Sequence, residues 1–337
     1  MRIWGVGSFI RFGTLPEGIN EELRMHNLLL ETLNTTVFTM TTVFLMLFLT
    51  GLMMEMGVFQ RMSFLAKPLV SISHLPSVSA SSLVISLGSA LAANTMIARL
   101  REEGSLSERQ TFLSALMNSV PVYFREFFTY QLAFVIPVLG IFVGGVYAAV
   151  AIATGLIKLL LVVILGRAYL SRESSLPLEV DETQAKKGVI EAAKKSLQGQ
   201  TRIFFRISTL YFFMTFLVLY LSSNGILQSM NALPIAQIFQ VPSETVVPLT
   251  IYVASPKAGI TLLGPMIQNG TISETKALIV LMLGSLFMLP AYAVRSLIPN
   301  YTSVFGMRLG LSLVLTSTAI SVLVRLMVLA ALMIVLY

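Results

Sequence analysis

Along the chain, long apolar stretches alternate with short clusters of charge, and the stretches fall into two sets. Residues 17–33 mix Glu, Arg and Leu at helical spacing, which predicts an amphipathic helix lying at a membrane surface. Residues 35–55 run without a charge until Glu55, long enough for a first span. Residues 56–76 are mixed and carry Arg61 and Lys67. Residues 77–99 are apolar yet rich in Ser, Gly, Ala and Asn, an unusual composition for a lipid-facing helix. After a charged turn, 110–128 and 139–168 predict two more spans, and 170–205 is the one clearly soluble stretch. The order then begins again. It has a span at 206–222, a second small-residue segment broken by Gly and Pro at 244–266, and spans at 275–294 and 306–335.

This recurrence has a register. The segment starting at Leu75 matches the one starting at Val241, 166 residues later, without a gap. Identical pairs include Pro76/Pro242, Ser77/Ser243, Ser89/Ser255, Thr95/Thr261, Gly104/Gly270, Ser107/Ser273 and Glu108/Glu274. At the same offset Gly140 and Gly144 match Gly306 and Gly310. Apolar residues coincide by chance in such chains, but polar and Gly residues do so less often, so the chain reads as a duplication.

Lys and Arg set the orientation, because cytoplasmic loops carry them in excess. The 170–205 stretch holds Arg172, Lys186, Lys187, Lys194, Lys195 and Arg202, and is expected to be cytoplasmic. The turn 99–109 has Arg99, Arg101 and Arg109, whereas its counterpart 265–276 has only Lys276. Arg295 and Arg308 flank a second-half loop whose first-half counterpart, 129–138, has neither Lys nor Arg. Basic residues therefore fall on opposite sides in the two halves, as inverted repeats require. The expected fold is an all-α polytopic membrane protein of two inverted repeats, each with about three spanning helices plus one re-entrant or broken helical hairpin. Its parts are an N-terminal surface helix (1–34), a first repeat (35–169), a cytoplasmic linker (170–205) and a second repeat (206–337). No secretory leader is expected, and both termini are expected outside a multi-pass cell-membrane protein.

Composition agrees with a lipid environment. Of 337 residues 55% are hydrophobic and 12% charged, and the mean hydropathy is +0.83, against about 25% charged in soluble domains. Cys is absent and there are only two His, His26 and His74. That removes thiolate chemistry and disfavours a His-built metal site. The only Asp, Asp181, is in the linker, and no nucleotide-binding or hydrolase motif is present. Neither an enzyme nor a cofactor is expected, and the net charge of +7 is assigned to cytoplasmic loops, not to nucleic acid.

The candidate site lies in the two broken segments, Ser86–Thr95 and Val253–Thr261. Irregular backbone at membrane depth is tolerated where it faces protein or a water-filled cavity, and free amides at helix ends offer hydrogen bonds and a dipole. The competing reading is close helix packing through small residues. Substrate contacts are expected from Ser86, Ser89, Asn94, Thr95, Ser255, Lys257 and Thr261. Lys257 is the sharpest, because a charge there is expensive and usually functional, although a snorkelling Lys would look the same. Arg125, Glu126 and Arg295 are candidates for gating or anion contact, or else interfacial anchors. Lys158 and Arg325, one in each long final helix, read as snorkelling or salt-bridged. The Gly140/Gly144 and Gly306/Gly310 pairs read as helix-packing contacts.

The repeated unit resembles the Gate, or nucleoside-recognition, domain. That domain occurs twice in the membrane part of bacterial ferrous-iron permeases and in spore-maturation membrane proteins, and is related to concentrative nucleoside transporters. The likeness is carried by LGSALAANTMIARL (Leu87–Leu100), Gly104 with Ser107-Glu108, and Leu139-Gly140. In the second half it is carried by Pro256 to Gly270, Ser273-Glu274 and Phe305-Gly306. It implies a transporter-like fold whose two helical hairpins meet near the midplane, and a homodimer. The iron permeases carry a Cys in the broken segment where this chain has Ser89, and their GTPase domain has no counterpart here. The expected function is a secondary transporter of a small polar or anionic solute, nucleoside-like or carboxylate-like, working by alternating access, elevator-type motion included. The alternative is a non-transporting membrane scaffold of the spore-maturation type. The expected partners are the lipid bilayer and a small-molecule substrate.

Overall fold

A computed structural model describes residues 17–56, 64, 66–171, 188–224 and 245–336. The basic positions Arg61, Arg172, Lys186 and Lys187, and most of the 170–187 stretch, lie outside the described residues. Among the described residues every regular element is helical.

The first element corrects the expected boundary between a surface helix and a first span. Helix α1 (Glu17–Glu55) is continuous, because no Gly or Pro interrupts residues 19–50. Thr32, Thr36, Met40, Val43 and Leu47 are buried at intervals of three and four residues and form one stripe. That stripe faces α9 (Val189–Ser223), the helix that opens the second half. The pair is antiparallel. Arg24 donates to the Ser223 carbonyl at one end. Thr39 Oγ1 and Tyr211 Oη lie 3.2 Å apart in the middle. Ser196 Oγ donates to the Phe48 carbonyl at 2.9 Å towards the other end.

The first half continues with α2 (Ala66–Ile72), α3 (Val78–Gly88) and α4 (Ala90–Glu102). It closes with α5 (Glu108–Met117), α6 (Val120–Glu126), a π-helical turn (Phe127–Val135), α7 (Ile136–Leu139) and α8 (Ile141–Tyr169). After α9 come α10 (Val246–Ala254), α11 (Pro256–Gln268), α12 (Glu274–Tyr292), a second π-helical turn (Ala293–Leu297), α13 (Ile298–Phe305) and α14 (Met307–Leu336).

The backbone events recur at the 166-residue offset. Ser89 (φ −146°, ψ 109°) separates α3 from α4, and Ser255 (φ −150°, ψ 102°) separates α10 from α11. Gly104 (φ 76°) matches Gly270 (φ 74°), and Gly140 (φ 87°) matches Gly306 (φ 80°). The π-helical turns start at Phe127 and Ala293, again 166 residues apart. The legs α3, α4, α10 and α11 contain 11, 13, 9 and 13 residues. At about 1.5 Å per residue each is too short to cross a core of about 30 Å. The chain doubles back at Ser255 tightly enough that a Cβ on Gly259 would lie 2.5 Å from Tyr252 Cβ.

Four helical stretches among the described residues are long and apolar enough to cross a membrane: Leu23–Met53, Ile141–Tyr169, Glu274–Phe305 and Met307–Ile334. They cover the expected spans at 35–55, 139–168, 275–294 and 306–335. The stretch 110–128 is not one helix. Asn118 and Ser119 interrupt it, Ser119 Oγ donating to the Leu116 carbonyl at 2.7 Å, and Pro121 supplies no N–H. The counterpart of Asn118 is Gly284, inside the unbroken α12. The expected span 206–222 is the end of α9, whose apolar stretch is the shorter Ile207–Leu217. This is an all-α membrane protein.

Two cores flank the centre. One gathers α10, α11 and α12 around the first π-helical turn, α7 and α8. The other gathers α2 to α5 around Phe305, Leu309 and Leu313 of α13 and α14. Each broken helix pair therefore packs against the final segment of the other half.

Candidate functional site

Between the two broken helix pairs lies a cavity of about 1090 Å³. Ligand pockets are usually about 300–1,000 Å³. Its walls come from both breaks, both π-helical turns, α8 and α14.

The first break puts Ala90, Leu91 and Asn94 of α4 on the cavity. Asn94 is held by a buried polar ladder: Asn118 Nδ2 donates to Asn94 Oδ1 at 3.1 Å, and Ser82 Oγ donates to Asn118 Oδ1 at 3.0 Å. The second break puts Ser255, Pro256 and Lys257 of α11 there. Both helices thus present their N-terminal turns to the cavity. Pro256 suits the first helical position, where its missing N–H costs nothing. Lys257 Nζ lies 5.8 Å from the Tyr130 ring centroid, a cation–π contact across the cavity.

The two breaks differ in one respect. Ser89 Oγ accepts from the Ala92 amide at 3.2 Å, capping α4, whereas Ser255 makes no side-chain cap. Ser89→Ala is therefore expected to lower stability by about 1 kcal/mol, the usual worth of an N-cap. Ser255→Ala should shift it by less than about half of that. Thermal midpoints of the two purified variants check this, and equal losses would show that the caps are equivalent.

The other expected contacts divide in the same way. Asn94, Ser255, Lys257, Arg125, Glu126 and Arg295 all line the cavity. Ser86, Ser89, Thr95 and Thr261 do not, because their hydroxyls are spent locally. Ser86 donates to the Leu83 carbonyl at 2.7 Å, Thr95 to Leu91 at 2.9 Å and Thr261 to Lys257 at 2.8 Å. Arg125 also holds the backbone of the first break, since its Nη1 donates to the carbonyls of Leu87 at 3.0 Å and Gly88 at 2.6 Å. A cation thus satisfies two terminal carbonyls of α3 and complements its dipole.

The Gly pairs also need correction. Gly140 and Gly306 (ψ 166° in both) adopt a region open essentially only to glycine, so they act as hinges. Only their partners, Gly144 and Gly310, fill the packing role. A Cβ there would meet Ile136 Cα at 2.6 Å and Tyr301 O at 2.6 Å.

Among the described residues Lys158 and Arg325 form no salt bridges, and neither snorkels. Lys158 is 2% and Arg325 8% exposed. Each is 11 residues from the end of its helix, about 16 Å at 1.5 Å per residue and beyond the length of a side chain. Lys158 Nζ donates to Tyr123 Oη at 2.8 Å and Ser317 Oγ at 2.7 Å. Gly155 leaves room for the Tyr123 side chain, whose Cβ would lie 3.1 Å and whose ring 3.2 Å from an added Cβ. Arg325 Nη1 donates to the Ser321 carbonyl at 3.0 Å. Tyr123, Gln131, Tyr147 and the cavity-lining Ser317 and Ser321 of α14 carry no signal in the sequence. They are scattered singly through apolar helices, and only the fold gathers them.

Among the described residues the cavity is lined by five cationic side chains (Arg125, Lys158, Lys257, Arg295, Arg325) and one carboxylate, Glu126. Among the described residues no group of His, Asp and Glu could hold a metal ion. The arrangement can attract and orient a negatively charged or hydrogen-bonding molecule.

The fold and cavity thus define an all-α membrane protein with a polar centre between broken helices. No known protein family's sequence profile matches the chain, and no solved structure matches it. Three uncharacterized proteins of Methanocaldococcus jannaschii are similar to it. One is 27% identical over 308 residues, covering 90% of this chain and 94% of its own. A second is 24% identical over 282 residues, covering 82% and 90%. A third is 22% identical over 284 residues, covering 82% and 88%. At such coverage each similarity extends over both halves.

Proposed function

We propose that the chain is a multi-pass protein of the cell membrane that transports a small polar or anionic solute by alternating access around its two broken helices. The observation that carries this reading is the cavity between the N-terminal turns of α4 and α11, with its excess of positive charge. A scaffold whose hairpin tips served only for assembly would fill that space.

An inverted repeat is part of the proposal, and two features support it. First, α1 and α9 occupy equivalent places in the two halves and pair antiparallel, as a twofold axis in the membrane plane requires. Second, the contacts between halves are reciprocal. Arg101 of α4 donates to the Phe305 carbonyl at 3.1 Å, and Gln268 of α11 approaches the Val138 carbonyl at 3.5 Å. Under the 166-residue offset one contact maps almost onto the other. Such exchange is the mark of twofold symmetry. The resemblance to Gate-domain proteins points the same way and adds nucleoside-like and carboxylate-like solutes as the classes to try first, with a homodimer as the assembly.

The test is uptake into proteoliposomes, with thermal stability measured alongside, across nucleosides, carboxylates and inorganic phosphate. One class should both stabilise the protein and accumulate inside. Lys257→Ala should weaken both responses by about tenfold or more, the size of one charge-assisted hydrogen bond. If no class produces either response, or if Lys257→Ala behaves as wild type, the reading is wrong.

A further inference from the structure

We propose that Lys158 and Arg325 form a binding site for an oxyanion group, a carboxylate or phosphate, on the wall of the cavity that α8 and α14 supply. This deepens the transporter reading and rests on it. Charges deep inside a membrane protein are expensive and are normally paired or line a solute path. Here two cations are more than nine-tenths buried, both line the cavity, and the hydrogen-bond partners they have among the described residues are neutral, the Glu126 carboxylate acting on Lys158 only through its charge. Lys158 uses two of its three N–H donors, on Tyr123 Oη and Ser317 Oγ. Arg325 spends Nη1 on the Ser321 carbonyl, while its Nε is buried without a hydrogen-bond partner among the described residues. Glu126, the one carboxylate on the cavity, forms no ion pair with either among the described residues.

The two cations belong to one network. Ser317, Ser321 and Arg325 follow each other at four-residue intervals, one face of α14. Lys158 sits on the first of them and Arg325 on the second, while Tyr123 Oη bridges Lys158 to Ser321 Oγ at 3.4 Å. A planar guanidinium beside an ammonium suits an oxyanion, which can accept from both and neutralise them together. The second buried orphan on the cavity, Gln131 Oε1, is an acceptor. It fits a hydroxyl or amine elsewhere on the same solute. The expected ligand is therefore an anion with a hydrogen-bond donor, not a bare halide.

The experiment uses the full chain in phosphatidylcholine nanodiscs at constant ionic strength. Thermal unfolding is followed against inorganic phosphate, succinate, chloride and uridine for wild type, Lys158→Met, Lys158→Arg and Arg325→Leu. Phosphate or succinate should stabilise wild type and Lys158→Arg. Lys158→Met and Arg325→Leu should bind about 10- to 100-fold more weakly. Without oxyanion those two variants should melt no lower than wild type, because an uncompensated buried charge has gone; a merely structural pair would melt lower. Phosphate should also protect Lys158 of the wild-type protein from an amine-reactive label, a readout that needs no variant. Nanodiscs doped with phosphatidylglycerol distinguish a lipid headgroup from a free solute: in either case the stabilisation must vanish in the variants. Equal oxyanion responses in wild type and both variants, or stabilisation by uridine alone with no protection of Lys158, would overturn the assignment. Uptake that still depends on Lys257 would leave the transporter reading standing.

Discussion

Gly310→Ala is expected to abolish the folded state or to cost about 3 kcal/mol or more, at the upper end of what overpacking does. The added methyl would lie 2.6 Å from the Tyr301 carbonyl oxygen and 2.7 Å from the Thr302 backbone. Side chains can rotate away from an intruder, but here the obstacle is the main chain of α13. That helix cannot retreat, because Gly306 has reversed it onto the start of α14. Gly144→Ala repeats the experiment in the first half, against Ile136 Cα. Gly145→Ala is the control: no atom lies within 4 Å of the new methyl, so it should be neutral or gain up to about 1 kcal/mol of helix propensity. Monodispersity on size-exclusion chromatography and the thermal midpoint report the outcome. A Gly310→Ala protein that melts like Gly145→Ala would show that the reversal is looser than described.

Arg125→Leu is expected to be the second most damaging change, costing about 2–4 kcal/mol. Charge-assisted hydrogen bonds are worth about 1.5–3 kcal/mol each, and the one to Gly88 is exposed, so the pair falls short of twice that value. The cost should appear at the break between α3 and α4, because two terminal carbonyls of α3 lose their partner there. Hydrogen exchange localised to residues 85–93 tests this. Arg125→Lys should recover about half, since one ammonium cannot reproduce the fork of a guanidinium. Uniform exchange across the chain in Arg125→Leu would instead place the loss elsewhere.

Much of the fold could be read from residue types alone. The Ser89/Ser255 pair and the Gly pairs at the 166-residue offset mark the same turns in the backbone, and these residues are legible because they are chosen for what the main chain must do. Other features were not legible. The join between 17–33 and 35–55 was hidden because a change in composition is not a change in backbone, and α1 runs straight through it. The break at Asn118 depends on a side chain reaching Ser82 and Asn94 on two other helices. At the site, Lys257 stood out because it sits in a broken segment. Lys158 and Arg325 sit in the middle of long apolar helices, where sequence cannot tell a buried cation from one stretched toward the interface. Their helix depth and their neutral partners separate the two cases. The hydroxyls of Ser86, Thr95 and Thr261 show the opposite error: in sequence they look available, yet each is bonded to its own helix.

Four of the cavity's five cations have apolar counterparts 166 residues away, the fifth, Arg295, corresponding to Thr129. Lys257 corresponds to Leu91, Arg325 to Leu159, Lys158 to Val324 and Arg125 to Ala291. The turns of the chain, by contrast, rest on residues that match across the halves. Shape and chemistry are thus encoded at separate positions. Substitutions at the cationic positions of α8, α11 and α14 can alter which molecule is held without disturbing the reversals that form the chamber. For protein engineering this makes Leu91, Leu159 and Val324 the first sites at which to install new charge. For evolution it means that chains of this architecture can diverge in the chemistry of the cavity while keeping one backbone framework.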